Sequence, residues 1–107
     1  MKRGSLVTVA LSGTLGKPRP ALVVQSDLFA AHPSMVILPI TSELRDTPLF
    51  RVLVEPTAEN GLRKDSQIMV DKPQSVPRSK VANVIGEIDE KNLIQVNRLL
   101  AVFLGIA

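Results

Sequence analysis

The sequence predicts an α+β fold that is mainly β: a small antiparallel barrel or curled sheet, with one helix packed on it at the C-terminal end. Three observations predict it. Short β-branched runs recur along most of the chain, separated by Gly, Pro and Asn turn signals. The gaps between them are too short for the crossover helices that a parallel sheet needs. Only the last segment carries apolar residues at helical spacing. With 107 residues, 45% of them hydrophobic, residues 1–107 suit one domain with its own core.

Each element has a local reason. Leu6–Leu11 (LVTVAL) is β-branched and meets a turn signal at Ser12-Gly13, so it reads as a strand. Ser12 to Pro18 is Gly-rich and ends in Pro, which makes it a flexible loop. Pro20–Gln25 is a second strand, with its proline expected at the first position, where no ladder hydrogen bond is required. Asp27 to Ala31 suits a helical turn stopped by Pro33. Met35–Ile40 (MVILPI) is nearly all apolar, hence a strand buried on both faces, and Pro39 within it implies an edge or a bulge. Thr41 to Pro48 is polar and irregular.

Phe50–Val54 alternates, with Phe50, Val52 and Val54 on one side and Arg51 and Leu53 on the other. Glu55 to Ser66 contains the turn pair Asn60-Gly61. Gln67–Val70 is a further strand, Lys72–Pro77 is loop or edge, and Val81–Ile88 is strand-like but interrupted by Gly86. Asp89 then suits an N-cap, with Glu90 in the first turn where the helix dipole favours negative charge. Leu93, Val96, Leu100 and Phe103 follow at helical spacing, Leu99 and Leu104 widen the stripe, and Gly105 is a natural stop. So wide a stripe is expected to serve the protein's own core more than an interface.

Composition removes many chemistries. There is no cysteine, so disulfides, thiol catalysis and cysteine-bound zinc are excluded. The first apolar run is too short for a secretory signal, and no stretch would span a bilayer. A cytoplasmic protein is the expectation. The single histidine, His32, precedes Pro33 and reads as surface, although histidine is the usual general base. Carboxylates are scattered singly, so no metal site is expected, and no phosphate-binding glycine motif is present. Three Phe with no Tyr or Trp cannot build a rich platform for stacking bases. Residues 1–80 carry eleven Lys/Arg against seven Asp/Glu, and residues 81–107 two against three. A basic N-terminal body is compatible with a polyanion, through phosphate charge and shape, and equally with plain solvated surface.

What remains is polar residues at strand ends. Lys17-Pro18-Arg19-Pro20 sets two cations in a stiffened backbone. A rigid Arg suits a phosphate, whose oxygens match its planar fork; the alternative is a surface cation pair beside a turn. Thr41-Ser42 ends the buried run with two hydroxyls, which either donate to a phosphate oxygen or bond nearby backbone. Asp71 is either a proton acceptor or a strand-end residue paired with Lys72 or a loop.

These residues bring the chain to a known pattern. In order they are Arg3-Gly4; Gly16-Lys17-Pro18-Arg19-Pro20-Ala21-Leu22-Val23-Val24; Leu38-Pro39-Ile40-Thr41-Ser42; Asn60-Gly61-Leu62 with Ser66; Val70-Asp71-Lys72; Ile85-Gly86; and the terminal helix. The ordered set resembles the MazF/PemK toxin family almost end to end. The resemblance implies an SH3-like antiparallel small barrel with a C-terminal helix. It implies a homodimer with a groove for single-stranded RNA and an endoribonuclease that uses no metal or other cofactor. The RNA's own 2′-hydroxyl would attack, leaving a 2′,3′-cyclic phosphate and a 5′-hydroxyl. A cognate antitoxin with an acidic, disordered tail would occupy the groove. The family's Arg and Thr fall on Arg19 and Thr41, with Asp71 as candidate base and Lys17, Pro20, Ser42 and Lys72 as candidate RNA contacts.

The chain departs from many members in three places: Ser5 stands where an acidic residue follows Arg-Gly, Ser12 to Pro18 lacks a Glu, and Met69 stands where some place an Arg. Proton-transfer roles therefore do not carry over. Two rivals follow. CcdB-like toxins share the architecture, poison DNA gyrase and end in Trp-Gly-Ile, where this chain has Leu104-Gly105-Ile106. The other is a non-catalytic barrel that binds RNA or protein.

Overall fold

The computed structural model describes residues 1–10 and 17–107; most of the expected Ser12–Pro18 loop lies outside them. Seven strands run in chain order: β1 (Ser5–Ala10), β2 (Pro18–Val23), β3 (Ser34–Thr41), β4 (Arg51–Val54), β5 (Ser66–Met69), β6 (Gln74–Pro77) and β7 (Val81–Glu87). One helix, α1 (Glu90–Phe103), follows. All pairings are antiparallel, in the order β4-β5-β3-β2-β1-β7, with β6 also on β3. The expected helical turn is a short 3-10 segment, Asp27–Phe29, started by the Ser26 hydroxyl, which accepts from Leu28 N–H.

The three central strands are buried on both faces, which is why they read as continuous apolar runs. Alternate residues enter two cores. Leu6, Leu22, Leu38 and Ile40 join Val52, Val54, Ile68 and Val96 in the core beneath α1. Val7, Val9, Ala21, Val23, Met35 and Ile37 form the other, closed by Val76 of β6. Strands β4 and β5 bury one face only: Val52, Val54 and Ile68 are buried while Leu53 is half exposed.

Pro39 is neither on an edge strand nor in a bulge. It lies between two ladders on the same side of β3: the β6 ladder ends at Ile37↔Gln74, and the β5 ladder begins at Ile40↔Ile68. A missing N–H costs nothing in that gap. The prolines of β2 are placed similarly. The strand begins at Pro18 instead of Pro20, and its ladder with β3 stops at Ala21↔Pro39, so Pro18 and Pro20 pair with β1 alone.

The expected barrel is not closed. β4 and β7 are opposite edges of the sheet with no ladder between them. β4 is only four residues long, and the segment that follows it runs against β7 in place of a strand. There Glu87 N–H donates to the Glu59 carbonyl at 2.8 Å. Two glycines permit this approach: a Cβ on Gly86 would stand 2.3 Å from the Glu59 carbonyl oxygen, and one on Gly61 2.1 Å from that of Ile85. Gly86, expected to interrupt a strand, is thus a contact point within one.

In α1 the Asp89 side chain accepts from Asn92 N–H at 3.1 Å, which is the expected N-cap. Val96 is fully buried, with Leu93, Leu99 and Leu100 packed around it. The expected stripe fails beyond that point. Phe103 and Leu104 are half exposed, and Val102 and Ile106 more so. Among the described residues, no helix is long and apolar enough to cross a membrane.

Candidate active-site groove

The parting of β2 from β3 opens the site. Their register ends at Ala21↔Pro39; beyond it Arg19 turns to β1, opposite Val9, and Thr41 to β5, opposite Gln67. Continued, that register would set Arg19 across from Thr41. Instead the two strands diverge and leave an open groove of about 860 Å³ between them. Arg19, Pro20, Thr41 and Ser42, four of the sequence-predicted residues, line it. Pro18, Pro39, Ile40, Met69 and Ile85 give it an aliphatic floor.

The opposite wall comes from the β4–β5 connection. Asn60 is 3% exposed and organises it. Its Nδ2 donates to the Glu55 carbonyl at 2.8 Å, and its Oδ1 accepts from Thr57 N–H at 3.0 Å and Leu62 N–H at 2.9 Å. A buried amide with its bonds satisfied locks a loop that has no ladder of its own. The turn pair predicted at Asn60-Gly61 thereby delivers Leu62, Arg63 and Lys64 to the groove. Sequence reasoning missed these as site residues. The signal, two cations one residue beyond a strong turn pair, was visible in the sequence, but the wall they belong to was not.

Charge in the groove is lopsided. Among the described lining residues Arg19, Arg63 and Lys64 face a single carboxylate, Glu43. The Arg45 guanidinium donates to that carboxylate at 2.9 Å and holds it below its ordinary pKa, with a smaller pull from Arg51. Such a carboxylate stays ionised and is a weak proton acceptor. The Thr41 Oγ1 accepts from Glu43 N–H at 3.0 Å. The turn chemistry foreseen as the alternative for Thr41 is therefore present, and it leaves the hydroxyl proton free to donate into the groove.

The remaining predicted residues stand elsewhere. Lys17, Asp71 and Lys72 are not among the lining residues. Asp71 follows β5 and is half buried; one oxygen lies 3.7 Å from the Lys72 ammonium, and the other is buried without a hydrogen-bond partner among the described residues. This is the strand-end pairing with Lys72 that was its alternative. His32 is exposed, its Nδ1 accepting from Ser34 N–H at 3.1 Å, away from the groove. Among the described residues no three His, Cys, Asp or Glu side chains are placed to hold a metal ion.

The antiparallel sheet with one terminal helix is a MazF-like fold, as superposition shows. The chain superposes on the Mycobacterium tuberculosis toxin MazF-mt6 with a TM-score of 0.82 at 21% identity, over 96% of this chain and 98% of that one. It superposes on a structure of MazE-MazF from Deinococcus radiodurans with a TM-score of 0.77 at 27% identity, over 100% and 97%. In sequence it is 43% identical over 108 residues to a probable endoribonuclease MazF of Mycolicibacterium smegmatis, covering 100% of this chain and 99% of the relative. Residues 2–104 match the PemK-like, MazF-like toxin of type II toxin-antitoxin systems, and the chain belongs to that family.

Proposed function

We propose that the chain is the toxin of a toxin–antitoxin pair and acts as a metal-independent, sequence-selective endoribonuclease on single-stranded mRNA. The observation that carries this reading is a single groove lined by Arg19 and Thr41 together with Arg63 and Lys64. Attack by the 2′-oxygen on the adjacent phosphate builds negative charge on the phosphoryl oxygens. The Arg19 fork and the Thr41 hydroxyl stabilise that charge where it develops. The 2′-oxygen is already tethered near the phosphorus. As it bonds to phosphorus the P–O5′ bond breaks, the 2′-hydroxyl proton passes to solvent water, and the departing 5′-oxygen takes a proton from water. Formation of the 2′,3′-cyclic phosphate and the 5′-hydroxyl therefore needs positioning more than a strong nucleophile. Arg19 acts as an electrostatic clamp, since a guanidinium is a poor proton donor.

Neither Glu43 nor Asp71 is favoured as general base: the hydrogen bond from Arg45 lowers the proton affinity of Glu43, and Asp71 stands outside the groove lining. Arg63 and Lys64 engage the RNA backbone, and base choice falls to the aliphatic floor and the backbone groups of the loops. The same cationic groove suits the acidic, disordered tail of a cognate antitoxin. A homodimer completes the proposal, with the exposed apolar end of α1 available to it.

Expression of the wild-type chain in a bacterial host is expected to arrest growth, and Arg19→Ala at equal expression is expected not to. Arrest by Arg19→Ala at the wild-type level would overturn this assignment of the site.

A further inference from the structure

Two side chains that do not line the groove hold the segment that carries Thr41. β3 ends at Thr41, opposite Gln67 of β5. Four residues on, the Gln67 amide takes over the work of a backbone rung. Its Oε1 accepts from Arg45 N–H at 3.0 Å and its Nε2 donates to the Arg45 carbonyl at 2.8 Å. Arg51, in the neighbouring β4, ties this pair to the turn. One nitrogen, Nη1, donates both to Gln67 Oε1 at 2.9 Å and to the Glu43 carbonyl at 3.0 Å. Glu43 is thereby held at both ends, its carbonyl by Arg51 and its N–H by the Thr41 hydroxyl oxygen at 3.0 Å.

We propose that Gln67 and Arg51 are positioning residues for the Thr41 hydroxyl. They fix the Ser42–Arg45 turn so that the Glu43 amide selects one Thr41 rotamer and leaves its proton aimed into the groove. A β-branched side chain has few rotamers, and one hydrogen bond decides among them. Without the clamp, the turn moves, the Glu43 amide drifts, and the hydroxyl loses the orientation that charge stabilisation requires. This inference rests on the reading of the groove as a nuclease site.

The test is single-turnover cleavage of a single-stranded RNA by the purified full-length chain, with rate and apparent affinity measured separately. Gln67→Met removes every hydrogen bond of the amide at similar volume, and Arg51→Met removes the brace. Each is expected to lower the rate about tenfold, because a small misplacement of a stabilising group is costly in the transition state. Apparent affinity should stay within about threefold, because neither side chain reaches the RNA. In a Thr41→Val background the same substitutions are expected to cost nothing further, since the group they position is gone.

A merely structural role would lower the rate equally in both backgrounds, and a phosphate-binding role for Arg51 would weaken affinity. Either result overturns the proposal, as does a wild-type rate in Gln67→Met and Arg51→Met. If Gln67→Met loses its cooperative melting transition, Arg51→Met alone carries the cycle. Arg19→Ala separates the clamp from the site it serves. Full cleavage by Arg19→Ala and Thr41→Val would overturn the nuclease site itself, whereas strongly reduced but measurable rates in both, alongside an unaffected Gln67→Met, would overturn only the clamp.

Discussion

The two walls of the groove are made in different ways. The Arg19–Thr41 wall is set by strand register: apolar runs buried on both faces fix β2 and β3, and their parting leaves the two polar residues at the mouth. The Leu62–Lys64 wall has no ladder. A buried Asn60 and the close approach of Gly61 and Gly86 hold it. The backbone of the first wall therefore inherits the rigidity of the core, with the turn after Thr41 braced by Gln67 and Arg51, and the second depends throughout on a few polar interactions and two positions without a Cβ.

That contrast is open to attack from both sides. The largest effect is expected on the register wall: Arg19→Ala should lower the cleavage rate about 10²–10³-fold, the scale for removing one preorganised charge stabiliser. Arg19 is exposed, so the melting temperature of the variant should match the wild type. On the loop wall the order reverses, with stability affected first. Gly86→Ala forces a Cβ against the Glu59 carbonyl and should cost about 1–3 kcal/mol in urea unfolding, as overpacking does.

Charge on the loop wall is a smaller matter. Arg63→Ala with Lys64→Ala should weaken RNA binding and reduce the salt slope by about 0.7 for each phosphate that is no longer neutralised, with the rate at saturation little changed. The smallest effect concerns Glu43. Its pKa is lowered in the folded state, mainly by the hydrogen bond from Arg45. Its contribution is therefore full above the ordinary value of 4.5 and disappears as pH falls through the lower folded-state value. Glu43→Gln should lower the melting temperature slightly at neutral pH, and the difference from wild type should vanish in acid. The pH profile of cleavage above about pH 5 should keep its shape.

The same division explains what was legible in the sequence. Hydropathy and turn chemistry located the strands other than β6, which read as loop or edge, together with the Asp89 cap; the four residues of the register wall were singled out by the family resemblance, since alone they read equally as turn and surface residues. The strands and the cap depend on local spacing and burial. Of the two forms the pattern left open, barrel or curled sheet, the open sheet is the one observed and the barrel that the resemblance implied is not, because closure depends on whether a four-residue β4 reaches β7, and a glycine-permitted loop approach replaces it. The end of α1 was misjudged for a related reason: helical spacing says which face is apolar, not whether the chain covers it. Asp71 stood out as a residue at a strand end, and spacing alone does not say that its side chain sits beside Lys72 and not among the groove lining. Gln67 gave no signal at all. Its role depends on where β3 stops, and a polar residue in a half-buried strand looks the same whether it braces a turn or meets solvent.

The central claim is tested most directly by incubating the purified protein with a long single-stranded RNA in excess EDTA and mapping the new 5′ ends. Discrete cuts at a short recurring sequence, with 5′-hydroxyl ends, are expected. Intact RNA from folded protein, with a related toxin cutting alongside, would contradict the nuclease reading and turn attention to gyrase or to a binding role.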